Sequence, residues 1–385
     1  MKVLANALLL NDNFSGVQYS TENLLKAISN SENTRFAITG LFSNNYSGDL
    51  IDTPTFHMER VNFDTKRRLR RIYYEHFRLP KFFSENAFDL YHSTGYVLPF
   101  FPKMPSVLTV HDLIALNFPG YCQNETAIYY GLFLPKSIYK ANRIIAVSNK
   151  IKSDIIKMFG ISASKIDVVY HGIDREFKKV WDIGKLQQVA VKYSLPEKFI
   201  LFVGNLEPKK NLSRLIDAFI DLKINAHIEH KLVIVGKDGW KYGEIYKKIK
   251  TLNADSDIII TGYVEKKDIP AIYSLSDLFV FVSLYEGFGL PVLEAMACET
   301  PVLISNQGAL PEIAGDWCPS ANPFDTKDIS AKIHAFLTDS SLRSKSIAYG
   351  INRSKLFNWD KSGRETLQVY DKAYSQIEKF QKQSV

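Results

Sequence analysis

Apolar positions along this chain follow two alternating rhythms. Short, nearly unbroken apolar runs occupy residues 3–10, 36–42, 89–92, 106–110, 143–147 and 167–170 of the first half, and each reads as a strand buried on both faces. Between them lie more polar stretches with apolar residues at helical spacing. Leu24, Leu25 and Ile28 do this in a segment that follows a turn at 15–19 and runs to about Ser29. Strands separated by helices predict a parallel, doubly wound α/β sheet. A lysine-rich piece at 175–197 breaks the rhythm, which then restarts with strands at 199–203, 231–236, 257–261, 278–282 and 301–305 and a helix at 212–222.

Length supports the same division. At 385 residues the chain exceeds one ordinary core, and the restart suggests domains at 1–180 and 181–361. Leu367, Tyr370, Tyr374 and Ile377 recur at helical spacing in a final segment, 362–385, expected to cross back to the first domain. Two such sheets would turn their carboxyl ends toward one cleft, where open parallel sheets bind ligands. With 46% apolar and 23% charged residues, the composition is that of a soluble globular protein. No apolar run reaches 18 residues, and the first one, followed by no small-residue cleavage site, reads as a strand. Three cysteines, Cys122, Cys298 and Cys318, show no ligand-like spacing, which points to a reducing cytosol without a disulfide frame or zinc site.

Charge adds a local feature. The net charge is +7, and between Arg60 and Lys81 eight Lys or Arg face only Asp64 and Glu75, a balance of +6. Within it, Lys66, Arg67, Arg68, Arg70 and Arg71 adjoin Tyr73, Tyr74 and Phe77. Clustered cations beside interfacial aromatics suit an anionic membrane surface. A solvated helix face gives the same pattern, and nucleic acid is disfavoured because no binding motif accompanies the charge.

The densest chemistry lies at 285–294. Glu286, Gly287, Phe288, Gly289 and Leu290 follow the strand at 278–282 and lead into a helix predicted at 292–298, with Pro291 suited to its first turn. Glycines between a strand and a helix N-terminus let backbone approach an anion. Glu286 and Glu294 would repel a phosphate, so they should face hydroxyls; a sugar and a ribose flanking a diphosphate would fit. Asn205, Lys209, Lys210 and Asn211 form another strand-to-helix turn, able to neutralise a diphosphate without a metal or to be an ordinary solvated turn. Gly16 enters the first helix, but the full dinucleotide glycine pattern is absent. His111 ends the strand at 106–110, where an imidazole can bond a sugar hydroxyl or simply hold a loop; His171 reads as structural. Asp255-Ser256-Asp257 has a metal-binding form but precedes its strand, so it reads as a surface turn. No hydrolase nucleophile elbow is present.

In this order the motifs resemble the retaining glycosyltransferases of the GT-B fold, glycosyltransferase family 4. The resemblance runs from Gly16-Val17 through 89–92, 110–113, 146–148 and 170–174 to 203–211 and the Glu286-to-Glu294 pair. It implies two Rossmann-like domains facing each other across a cleft, the first on the acceptor side and the second on the donor side. It also implies transfer of a hexose with retention, without a metal or other cofactor. Glu286 would hold sugar hydroxyls, Glu294 the ribose, Gly287 to Leu290 the diphosphate and sugar, and Lys210 a phosphate. His111 would stand on the sugar side, Gly16 near the diphosphate, and Tyr263 and Val264 by the base. Asn205 replaces a frequent arginine. The implied partners are a nucleotide sugar, with GDP-mannose favoured over UDP- or dTDP-sugars, and a saccharide acceptor, lipid-linked, at the cytoplasmic membrane face, in surface polysaccharide or O-antigen assembly. A nucleotide-sugar 2-epimerase of the same architecture and a non-catalytic saccharide-binding protein are the alternatives.

Overall fold

A computed structural model describes residues 1–10, 16–32, 35–100 and 104–383, with side chains through Ser375; Ser15, in the turn expected before the first helix, lies outside them. The chain divides into two compact units. The first comprises Met1–Gly120, Asn124–Gly172 and Asn358–Val385, and the second Tyr121–Gln123 and Ile173–Phe357.

The first unit carries β1 (Lys2–Asn6), β2 (Ala37–Ser43), β3 (Phe56–Val61), β4 (Leu90–Ser93), β5 (Ser106–Val110), β6 (Arg143–Ala146) and β7 (Ile166–Val168). Among the described residues these form one sheet, in the order β3-β2-β1-β4-β5-β6-β7, with every pairing parallel. The central strands are buried along their whole length, which is why the sequence shows them as continuous apolar runs. β3 escaped that signal: its sequence, FHMERV, is polar, and at the sheet edge only its two ends are buried. β1 is also shorter than its apolar run. The Asn6 side chain accepts from Leu8 N at 3.0 Å and Leu10 N bonds Ala7 O at 2.9 Å, so the chain turns there while staying buried.

The second unit holds β8 (Phe199–Val203), β9 (Lys231–Val235), β10 (Ile258–Gly262), β11 (Leu278–Phe281), β12 (Val302–Ser305) and β13 (Ser320–Ala321), ordered β10-β9-β8-β11-β12-β13 and again all parallel. The strand order reverses between β8 and β11, and the loops that follow these strands carry the predicted chemistry.

The last helix, Trp359–Gln383, packs on the Gly16–Ser29 helix of the first unit. Its buried face differs from the expected stripe: Ser362, Gly363, Thr366, Val369, Tyr370 and Ala373 are buried, whereas Leu367 and Tyr374 are only partly so and the Ile377 side chain lies outside the described residues. Small and hydroxyl residues form the seam because the helices meet closely. A Cβ on Gly363 would stand 3.2 Å from Ala27, and Ser362 Oγ donates to Tyr170 O at 2.6 Å.

Candidate functional site

In the second unit, β8 runs into a loop, one 3-10 turn at Pro208–Lys210, and then the Leu212–Asn225 helix. Asn211 takes the left-handed conformation, φ 61°, that closes this turn. Its amide donates to Val282 O at 3.0 Å and to Pro323 O at 2.7 Å, and its carbonyl oxygen accepts from Arg214 at 3.0 Å. Lys209 O in turn accepts from Leu284 N at 2.8 Å. The two loops predicted separately are thus fastened together.

Through this fastening Lys210 reaches Glu286: Nζ lies 2.6 Å from Oε1, with both side chains nearly buried, and 4.8 Å from the centroid of the Phe281 ring. Burial opposes ionisation of Glu286, but the Lys210 and Lys209 ammonium groups outweigh it and hold the carboxyl below its ordinary value. The backbone of Glu286 is fixed from a third loop. Ala309 N donates to Glu286 O at 3.0 Å, and Gly308, at φ +67°, lies so close that a Cβ would meet Glu286 N and O at 2.8 Å.

Gly289 turns the loop into the Leu290–Ala297 helix at φ 106°, where an L side chain is strained and a Cβ would strike Leu310 at 2.5 Å. Pro291 lies in the first turn, as expected. Phe288 is buried with its ring 5.9 Å from that of Phe357, so it anchors the loop while its neighbours Gly287 and Gly289 carry the turn. Glu294, further along the helix, accepts from the Tyr273 hydroxyl at 3.1 Å. Burial pushes its carboxyl up to about 7, against the Tyr273 bond and the charge of Lys266, with Asp174 adding to the rise. Asp174 and Lys266 pair at 2.7 Å, so the motif at 170–174 sends its last residue to the neighbourhood of Glu294.

Asn205 is exposed, Val264 buried, and Tyr263 exposed with Lys237 Nζ 4.4 Å from its ring centroid. Asp255 and Ser256 are exposed and Asp257 pairs with Lys223 at 2.9 Å, the surface turn expected there. No group of three or more potential metal ligands occurs among the described residues.

His111 belongs to the first unit and is buried. Its Nε2 lies 2.7 Å from Thr94 O, which can only accept, so Nε2 carries the proton and Nδ1 accepts from His171 Nε2 at 3.3 Å. Burial holds the pKa of both rings down and keeps them neutral. Both nitrogens of His111 are therefore used within the unit, a state in which it orders β4 and β5 rather than offering a free N–H. Gly16 opens its helix with no atom near its missing Cβ. Of the five basic residues, Lys66, Arg67 and Arg70 are exposed. Arg68 bonds Thr126 Oγ1 at 3.1 Å, and Arg71 turns inward toward Glu75 at 3.9 Å. Sequence reasoning did not single out Tyr273, Gly308 or the bridging role of Asn211. Gly308 alone had a signal, a glycine in the turn between β12 and the Leu310–Ala314 helix.

The family model described as "Glycosyl transferases group 1" matches residues 187–353, and that described as "Glycosyltransferase Family 4" matches residues 14–177. The chain is 32% identical over 282 residues to O-antigen chain mannosyltransferase B of Escherichia coli, covering 73% of this chain and 74% of that protein. It is 31% identical to the serotype-specific mannosyltransferase WbdA of the same organism, covering 66% of this chain but only 32% of the relative. Among solved structures, sucrose-phosphate synthase from Thermosynechococcus elongatus aligns with TM-score 0.76 at 18% identity, over 97% of this chain and 99% of that one. WaaG, a glycosyltransferase involved in lipopolysaccharide biosynthesis, aligns with TM-score 0.71 at 15% identity, over 96% and 99%. Both likenesses show the GT-B fold of two parallel-sheet Rossmann-like halves. These matches establish that the chain belongs to the group 1, family 4 glycosyltransferases and is a glycosyltransferase.

Proposed function

We propose that this protein moves a mannosyl group from GDP-mannose to a saccharide acceptor, lipid-linked, in surface polysaccharide assembly, with retention at the anomeric carbon and without a metal. The observation that carries the reading is the Lys210–Glu286 pair, a cation and an acid held at the glycine turn before a helix. The donor's diphosphate lies against Lys210 and the backbone of Gly287 to Leu290, where the glycine turn lets backbone come close and the positive end of the helix favours an anion. Glu286 holds sugar hydroxyls and Glu294 the ribose, with Tyr263 and Val264 beside the base. The bond from the anomeric carbon to the diphosphate breaks through an oxocarbenium-like transition state. The acceptor oxygen then bonds that carbon on the same face while its proton passes to the departing phosphate. Lys210 stabilises the negative charge that grows on the leaving group, an electrostatic contribution worth about 3–4 kcal/mol per preorganised donor in other enzymes. The mannosyltransferase relatives favour mannose, and their O-antigen context favours a saccharide on a lipid carrier.

The test is an incubation with GDP-mannose, UDP-glucose and dTDP-rhamnose, each with a lipid-linked oligosaccharide, in EDTA. Transfer from GDP-mannose with an α-linked product supports the reading. An inverted product, a metal requirement, exclusive use of another donor, or full activity of Glu286→Ala overturns the corresponding part.

A further inference from the structure

Residues 68–78 present a feature that the donor site does not use. The Arg68–Tyr73 helix runs directly into a π-helical turn at Tyr74–Arg78 and on into the Leu79–Asn86 helix. Leu69, Tyr73 and Phe77, four positions apart, form a ridge on its outer side, 82%, 58% and 58% exposed, with the Tyr73 and Phe77 rings stacked at 5.4 Å. Leu69 and Tyr73 of the ridge also line a hollow of about 520 Å³, together with Asn62, Phe63 and Tyr74, with Arg70 and Arg78 as its cations. Phe63 and Tyr74 lie together in its wall, ring centroids 5.0 Å apart. That volume is in the range of small-molecule sites.

We infer that this hollow binds one anionic membrane phospholipid, its phosphate between Arg70 and Arg78 and its hydrocarbon along Phe63, Leu69, Tyr73 and Tyr74, while the ridge enters the bilayer beside it. Charge complementarity selects this occupant. The segment carries a local excess of +6, and the structure divides its cations between tasks. Arg68 and Arg71 are turned toward Thr126 and Glu75, whereas Arg70 and Arg78 stand exposed at an apolar hollow. An apolar ridge with arginines alongside matches the boundary between acyl chains and headgroups.

The inference rests on the lipid-linked acceptor of the proposed function and on the membrane contact expected of the basic stretch, and two measurements separate the lipid site from that membrane contact. Native mass spectrometry with dihexanoyl phosphatidylglycerol below its micellar concentration should show one lipid per chain. Arg70→Gln/Arg78→Gln should lose that lipid, and Lys66→Gln/Arg67→Gln, of equal charge, should keep it. Flotation on phosphatidylglycerol vesicles should fall about 25-fold for the second variant, roughly five-fold per cation, and at least ten-fold further for the first. Unchanged thermal unfolding shows that these exposed substitutions leave the fold intact. Flotation without the one-to-one complex, equal losses for the two variants, or equal retention of a short alkyl maltoside overturns the lipid site and leaves membrane binding standing. A one-to-one complex without flotation overturns the membrane reading instead and supports the site.

Discussion

Replacing Lys210 by methionine isolates what the ion pair does. Methionine keeps an unbranched stem against Phe281 and removes only the charge. At 2.6 Å and an effective dielectric of about 20, the attraction between Lys210 and Glu286 is about 6 kcal/mol, most of it offset by the desolvation of two nearly buried groups. Removing one partner exposes that desolvation cost, so Lys210→Met should destabilise the second unit by about 3–5 kcal/mol at pH 7.5. The pH dependence follows from Glu286. In the native protein its pKa is held below the unfolded value, so its contribution is complete above the ordinary carboxylate range and is lost as pH falls through the folded pKa. In the variant the largest opposing charge is gone and Lys209 is the one cation left to counter burial, so the pKa rises from its native position and the carboxyl takes up a proton at a higher pH than in the native protein. The stability gap between variant and native protein should therefore narrow from pH 7.5 to pH 5. Lys210→Met/Glu286→Gln, with no buried charge, should recover more than half of the loss at pH 7.5. Urea titration followed by tryptophan fluorescence suits the question, because Trp181, Trp240 and Trp317 belong to the second unit and only Trp359 to the first. A single variant within 1 kcal/mol of the native protein at pH 7.5, or a double variant no more stable than the single, shows that the pair does not offset a buried charge.

Three further outcomes are expected. Glu294, whose folded pKa of about 7 exceeds the ordinary 4.5, binds more protons folded than unfolded, so its contribution falls as pH rises through this window. Glu294→Gln should thus raise stability by about 2 kcal/mol at pH 8.5, partial solvent screening included, and leave it unchanged at pH 4.5; a pH-independent difference in melting temperature contradicts this. His76, His92, His111 and His171 of the first unit have the opposite sign, their pKa values held down by burial, to about 4 for His76 and about 3 for His92. Below about pH 6.5 each adds up to about 1.4 kcal/mol of instability per pH unit. Hydrogen exchange should therefore show this unit opening first on acidification. Gly308→Ala forces a side chain at φ +67° into Glu286 and should cost about 1–3 kcal/mol while weakening nucleotide-sugar binding at least ten-fold by calorimetry; unchanged affinity shows that the contact does not set the acid's position.

Strands buried on both faces were legible because their pattern needs no partner to be read: 106–110 and 199–203 match β5 and β8 end to end. β3 was not, since a half-exposed edge strand carries little apolar signal. The last helix was legible as a helix but not in its facing, because close approach selected Ser362, Gly363 and Thr366 over the larger residues that periodicity favours. In the site, Glu286, Glu294 and Lys210 stood out as charges beside glycine turns. What joins them did not. Tyr273 looks like any core tyrosine until its hydroxyl is found on Glu294, and the direction of a histidine's two nitrogens depends on Thr94 and His171, far from His111 in sequence.

Asn211 bears on how far this protein can vary. Glycine accepts its backbone conformation but supplies none of its three side-chain bonds. Aspartate tolerates the conformation but has no hydrogens for Val282 and Pro323, and glutamine has the amide but not the ease at positive φ. The position has a single chemical solution. Random mutagenesis selected for donor exchange should accordingly return changes at Asn205, Tyr263 and the residues around Glu286, while Asn211 stays invariant among every functional survivor.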